Sequence, residues 1–225
     1  MCVKTVQHTF ERSMKNSMTC SPFKSTEEKI REAAKRVFLE KGFDGATSRD
    51  IADAAGINIA LTNYYFRSKE KLFMSIFEEM FQLFFNGIAE IMNKPIGFRE
   101  KIAELIDHDF ELLKKNPSLA IFVMNEIHRN PDRMATSIEV LKKVHHSQFE
   151  AQLQQEIERG AVRPITAMHL MPLIFCNIQF LFMGKAMHMK MWQVDEVGFD
   201  AFANKHKELV KDLVLTYLYE YEKVT

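Results

Sequence analysis

The sequence predicts an all-α protein: a three-helix head carrying a helix-turn-helix, followed by a larger helical body. Three observations point there. Apolar residues recur at three- and four-residue spacing along almost the whole chain, the period of a helix face. Val-rich alternating runs and Asn-Gly hairpin signals are absent. Only 8 Gly and 6 Pro interrupt 225 residues. With 47% hydrophobic and 27% charged residues, the chain has enough apolar mass for one large domain or two small ones.

Taken in order, residues 1–24 lack periodicity and read as a flexible arm, with Met14 and Met18 as alternative starts. Ser25 then offers an N-cap, with Glu28 three residues on to complete a capping box. Ile30, Ala33, Ala34, Val37 and Phe38 form one face of the first helix, and Gly42 stops it. A short helix is predicted from about Thr47 to Ala55 and another from about Asn58 to Tyr65. Ser68 caps a fourth, whose stripe is Leu72, Phe73, Ile76, Phe77, Met80, Phe81 and Phe84.

Asn116-Pro117 and Asn130-Pro131 each read as an N-cap followed by Pro at the first helical position. Gly160 and Pro164 separate a long helix from an apolar helix over about Thr166 to Lys190. A last helix runs from about Asn204 to Tyr221 with two adjacent stripes, Leu209, Leu213, Tyr217 and Val210, Val214, Leu218. That is more apolar surface than packing on one domain needs. The expected domains are the arm 1–24, a DNA-binding head 25–72 with its helix-turn-helix at 47–66, and a helical body 73–225.

The 30 basic and 30 acidic residues cancel, so net charge alone announces no partner. Its distribution is uneven: residues 1–72 carry 13 Lys+Arg against 9 Asp+Glu, a sign that suits a head facing DNA. Cys2, Cys20 and Cys176 form no CxxC pair and read as reduced thiols, so a cytoplasmic location is expected. The most apolar run, Ala167 to Met183, is interrupted by Asn177 and Gln179. It falls short of the roughly 20 apolar residues a span requires, so no membrane is expected.

The segment TSRDIADAAGINIALTNYYF holds the chemistry. Thr47 caps its first helix, with Asp50 in the opening turn. Ile51, Ala52 and Ala55 make a small face that allows close packing. Gly56 stands where the chain reverses, a position that favours positive φ. Asn58 caps the next helix, whose first turn, Ile59 to Leu61, would enter a major groove. Spacing alone leaves a simple packing hairpin as an equal alternative.

The wider context moves the reading. The runs AAKRVFLEKGFDGAT, IADAAGI and NYYFRSKEKLF resemble the amino-terminal domain of the TetR family without gaps from Ser25 to Met80. The resemblance implies a DNA-binding transcriptional regulator. Thr47 and Lys69 would bind phosphates, Ser48 would also contact DNA, and Asn58, Ile59, Ala60, Asn63 and Tyr64 would face the duplex. Asn63 and Ile59 depart from the family's usual residues, and Ile59 can touch a thymine methyl but donate no hydrogen bond. Tyr65 and Phe66 are read as core.

For the body, the resemblance implies an effector pocket and a dimer interface. Candidate effector contacts are Phe110, His128, His145, Phe149, Asn177 and Gln179, since polar residues on apolar helices need partners when buried. The run Met183, Met187, His188, Met189 and Met191 holds thioethers but no paired cysteines, and no metal is assigned. No cofactor is expected. No phosphate loop, GxSxG or HExxH motif suggests an enzyme.

The function expected is a repressor that binds a palindromic double-stranded operator and is released by a small, largely apolar effector. It would be a homodimer through its two carboxy-terminal helices. The alternative is a DNA-bound protein-interaction factor of the nucleoid-occlusion kind.

Overall fold

In the computed structural model, residues 25–131 and 148–220 are described. The expected arm, His145 and the residues past Glu220 lie outside them. Among the described residues the regular structure is ten α-helices and no strand.

The head is α1 (Thr26–Gly45), α2 (Ser48–Ala55) and α3 (Ile59–Tyr65), followed by α4 (Lys69–Asn93). Each start is capped as its residues dictate. The Ser25 hydroxyl accepts from the Glu28 N–H at 3.1 Å, and Glu28 accepts from the Ser25 N–H at 2.8 Å. Helical geometry in α1 is broken at Gly42, where φ is +68°, a value that carries a steric cost for any residue with a β-carbon. At 25 residues, α4 is about 38 Å long. All seven predicted stripe residues from Leu72 to Phe84 are buried. Phe73 meets Phe38 of α1 edge-on at 5.0 Å, while Arg31 of α1 donates to Ser75 and pairs with Glu79.

The body comprises α5 (Phe98–Lys115), α6 (Leu119–Arg129), α7 (Gln148–Glu158), α8 (Ala167–Met183), α9 (Lys185–Trp192) and α10 (Glu196–Tyr219). Central α5 packs on α4, α8 and α10. Lys101 of α5 is buried, but its ammonium donates to the Met92 carbonyl at the end of α4. That bond gives the buried ammonium one acceptor and the carbonyl a donor. α6 joins head to body: Phe122 lies against Phe73 and Phe77, and Arg129 pairs with Asp44 at 2.8 Å.

Several expectations fail here. Asn116 closes a helix instead of opening one; Asn130 closes α6, and the helix expected after it lies outside the described residues. The Asn116 N–H donates to the Leu112 carbonyl and Asn130 to that of Glu126, and α6 begins only after Pro117 and Ser118. Asn has both an acceptor and a donor amide, so it serves either helix end, and a following Pro equally marks a stop. The expected Thr166–Lys190 helix is two helices bent by 64° at Gly184. The last helix starts eight residues early, at Glu196 with Asp195 as cap, because Phe199 and Ala203 extend its buried face. Of its two stripes, Val210, Val214 and Leu218 are buried, while Leu209, Leu213 and Tyr217 face outward. Finally, Tyr65 is exposed, edge-on to Tyr64, while Phe66 does pack against the core.

Candidate nucleic-acid interface and effector region

The turn between α2 and α3 is built as its residues require. Gly56 has φ +67°, and its N–H donates back to the Asp53 carbonyl; the Ile57 N–H reaches the Ala52 carbonyl. Asn58 then caps α3 by accepting from the Ala60 N–H at 2.9 Å. Ile51 and Ala52 bury one face of α2. In α3 only Thr62 is buried.

The rest of α3 is on display. Asn58, Ala60, Leu61 and Asn63 are exposed, with Ile59 at 39% and Tyr64 at 79%. A seven-residue helix is not stable alone in water, so α2 and the turn hold it out. Exposed Ile, Leu and Tyr side by side are what an interaction surface keeps.

Thr47 and Asp50 lock each other. The Thr47 hydroxyl donates to Asp50 and accepts from the Asp50 N–H, and Lys41 adds an ion pair at 2.7 Å. The Lys41 and Thr47 contacts hold the Asp50 carboxyl well below the usual carboxylate range. Lys69 is more enclosed than its assignment as a phosphate contact suggests. Its ammonium donates to the carbonyls of Phe43 and Ala46 at 2.8 and 2.9 Å and lies 4.2 Å from the Phe43 ring centre. Two of its three N–H groups are thereby engaged, and they tie α4 to the α1–α2 junction. Arg49, Arg67 and Lys71 flank the same surface in sequence, are exposed, and have no ion pair among the described residues. Sequence reading passed over them, although the head's basic excess was their signal.

The expected effector contacts divide. Phe110 is buried edge-on to Phe182 of α8. Gln179 of α8 faces Asp109, so these lie on one α5–α8 seam. Phe149 packs with Phe98 where α7 meets α5. Asn177 donates to its own helix, at the Leu173 carbonyl. His128 is exposed. One residue was missed: Asp109 is fully buried, and burial pushes its carboxyl up to about 7, opposed by Gln179. Its signal was present, an acid in register with Ile102, Leu105, Ile106 and Leu113 on the buried face of α5.

A further surface is apolar and open. Leu173, Phe180 and Met183 of α8 and Leu209, Leu213 and Tyr217 of α10 are exposed, and Cys176 lies among the first three.

A helix-turn-helix set on a long connecting helix, with a separate helical body, defines a DNA-binding regulator. The sequence model of the tetR family of bacterial regulatory proteins matches residues 30–76. The chain is 26% identical over 134 residues to the fatty acid metabolism regulator protein of Bacillus subtilis, spanning 60% of this chain and 69% of that one. It is 24% identical over 141 residues to the transcriptional repressor KstR2 of Mycolicibacterium smegmatis, spanning 62% and 69%.

Among solved structures, a TetR family regulator from Marinobacter aquaeolei superposes with a TM-score of 0.62 at 17% identity, covering 86% of this chain and 95% of that one. FadR of Bacillus subtilis, in complex with stearoyl-CoA, superposes at 0.55 with 24% identity, covering 81% and 96%. The head of the chain, residues 30–76, thus matches the tetR family, and the relatives and solved structures that the chain resembles are transcriptional regulators.

Proposed function

We propose that the protein is a ligand-responsive repressor. It binds a palindromic operator as a homodimer and releases it when a small molecule with a largely apolar body occupies the α4–α10 region. The observation that carries the DNA half is α3, held out by Gly56 and Asn58 with a single buried residue. Asn58, Ile59, Ala60, Asn63 and Tyr64 face the base edges. Thr47, Ser48, the third N–H of Lys69, and the free cations Arg49 and Arg67 approach phosphates, which set register without reading sequence. Residues 25–72 act as the DNA-binding domain and the remainder as effector and dimerisation domain.

The ligand half is supported by the relatives, two of which are named for fatty acid metabolism or captured with stearoyl-CoA. α6 supplies the link, since it touches both the head and the body helices α4 and α8. A ligand that fits one α6 position better than another shifts the heads only by that difference in affinity. The outward stripe on α8 and α10 is accounted for by a second copy of the chain.

The test is footprinting on the DNA flanking the protein's own gene, with stearoyl-CoA as the first probe. Protection of an inverted repeat with half-site centres 10–10.5 base pairs, or a multiple of that spacing, apart is expected, and the response to the probe shows whether an acyl chain with an anionic head group releases it. Absence of a protected repeat overturns the operator reading.

A further inference from the structure

Asp109 stands at the centre of the buried face of α5, with Ile102, Leu105, Ile106 and Leu113 in register on either side. Neither carboxyl oxygen accepts a hydrogen bond of normal geometry. The one polar group acting on it is the Gln179 amide, across the seam on α8. Phe110 and Phe182, packed edge-on at 5.5 Å, belong to the same seam. Nearby cations are committed elsewhere: Lys207 and Lys211 to Asp107, and Lys114 to Asp200.

An unpaired carboxyl in an apolar core is destabilising. Leu or Met would fill the same space without that penalty. Burial raises the carboxyl to about 7, so it is protonated below neutral pH and poised to ionise around it. A hydrogen-bond donor entering the seam would satisfy it, and a cationic donor would also restore its charge in a low-dielectric setting, where such bonds are strong. An anionic head group could accept a hydrogen bond from the protonated carboxyl but would oppose its ionisation.

We propose that Asp109 and Gln179 form the polar anchor of the effector site, and that the effector is a hydrophobic amine: an ammonium held by Asp109 on an apolar body packed along the α5–α8 seam. This rests on the ligand-responsive reading and names the class of ligand.

The experiment is calorimetric titration of the full chain with octylamine, 1-octanol and octanoate, three probes that differ only in head group. Octylamine is expected to bind at least ten-fold tighter than the other two. Asp109→Asn, which keeps the shape and removes the charge, is expected to erase that preference while leaving octanol unchanged. Gln179→Leu is expected to weaken octylamine several-fold.

Octanoate binding as tightly as octylamine, an unaltered preference in Asp109→Asn, or no binding by any probe overturns the proposal. Should Asp109→Asn fail to fold, the ranking of the three probes on the natural protein still decides. The two readings fail separately. Operator release by stearoyl-CoA that is insensitive to Asp109→Asn leaves the repressor standing and removes the amine site. Octylamine binding at Asp109 without operator release does the reverse.

Discussion

The imidazole of His108 fills the space where a β-carbon on Gly87 would stand. Such a carbon would lie 2.1 Å from His108 Cε1 and 2.2 Å from Nε2, far inside contact distance. Gly87 therefore has a packing reason to lack a side chain: it lets α5 close on α4, the helix that joins head to body. The His108 ring is half-buried with an unpartnered Nε2, and burial lowers its pKa.

Gly87→Ala should therefore destabilise, although alanine is the better helix former by about 1 kcal/mol. Overpacking of this kind costs about 1–3 kcal/mol, and near this chain length each kcal/mol lowers Tm by roughly 2–4 °C. Adding His108→Ala should restore much of the loss, because the intruding ring is then gone. A thermal melt of the single and double variants checks this. Equal melting of Gly87→Ala and the natural protein would show that the ring moves aside freely.

Asp109 yields a pH dependence of definite sign. Its carboxyl is raised to about 7 in the fold, against 3.8 for the free group. Between those values the folded state holds a proton that the unfolded state has lost, so the group's contribution worsens as pH rises. Asparagine does not titrate. Asp109→Asn should match the natural protein near pH 4 and become progressively more stable than it up to about pH 7.5. Denaturant melts at pH 4.5, 6 and 8 measure the difference, in which His108 cancels. A constant difference across that range would mean that Asp109 is ionised and partnered in the fold.

The head was largely legible in the sequence because local chemistry decides it. Ser25, Thr47, Asn58 and Ser68 each cap the helix assigned to them, and Gly42 and Gly56 each adopt the positive φ that suits glycine. These effects span two to four residues. The body was less legible because its decisive features are non-local. Whether Asn116 opens or closes a helix depends on where the chain turns, and the break at Gly184 depends on what α8 and α9 pack against. Which stripe of α10 faces inward is set by α5 and α8. Periodicity places Asp109 on the core face of α5, but only the packed seam shows it without a normal hydrogen-bond partner.

Lys69 and Arg67 should separate when tested together. Lys69→Ala removes the donor to the Phe43 and Ala46 carbonyls as well as a cation of the proposed DNA surface. It should lower Tm and weaken binding to all DNA sequences, with the salt slope reduced by about one. Arg67→Ala removes only an exposed cation, so the slope should fall similarly with Tm unchanged. Anisotropy across a salt series, paired with melts, resolves the two roles. An intact slope in Lys69→Ala would make it a brace for α4 and nothing more.

Asn63 and Ile59 project from the open face of α3. Their replacement by Ala should change which sequences are bound more than how tightly DNA in general is bound, because base-edge groups discriminate and phosphate groups do not. Selection from a random duplex pool, run with each variant, is the measurement. Recovery of the natural motif by both variants would exclude these two side chains from readout.

The dimer prediction turns on which stripe of α10 is mutated. Leu218 is completely buried in its own protomer, so a charge there would unfold the body and say nothing about assembly. Leu209 and Leu213 are 56% and 61% exposed, and with Tyr217 they continue the open surface of Leu173, Phe180 and Met183 on α8. Burying a leucine is worth about 1.5–3 kcal/mol, so two copies meeting through these helices gain from every pair covered.

Leu209→Glu with Leu213→Glu should give a folded monomer by sedimentation equilibrium, with an unchanged helical circular dichroism signal. Operator affinity should drop at least a hundred-fold, because two heads no longer bind as one unit. Cys176 supplies a second readout, since it lies in the same surface. With Cys2 and Cys20 replaced by Ser, maleimide should label Cys176 slowly in the dimer and quickly in the double-Glu variant. A double-Glu protein that is still dimeric, with Cys176 still protected, would place the interface on another face of the body.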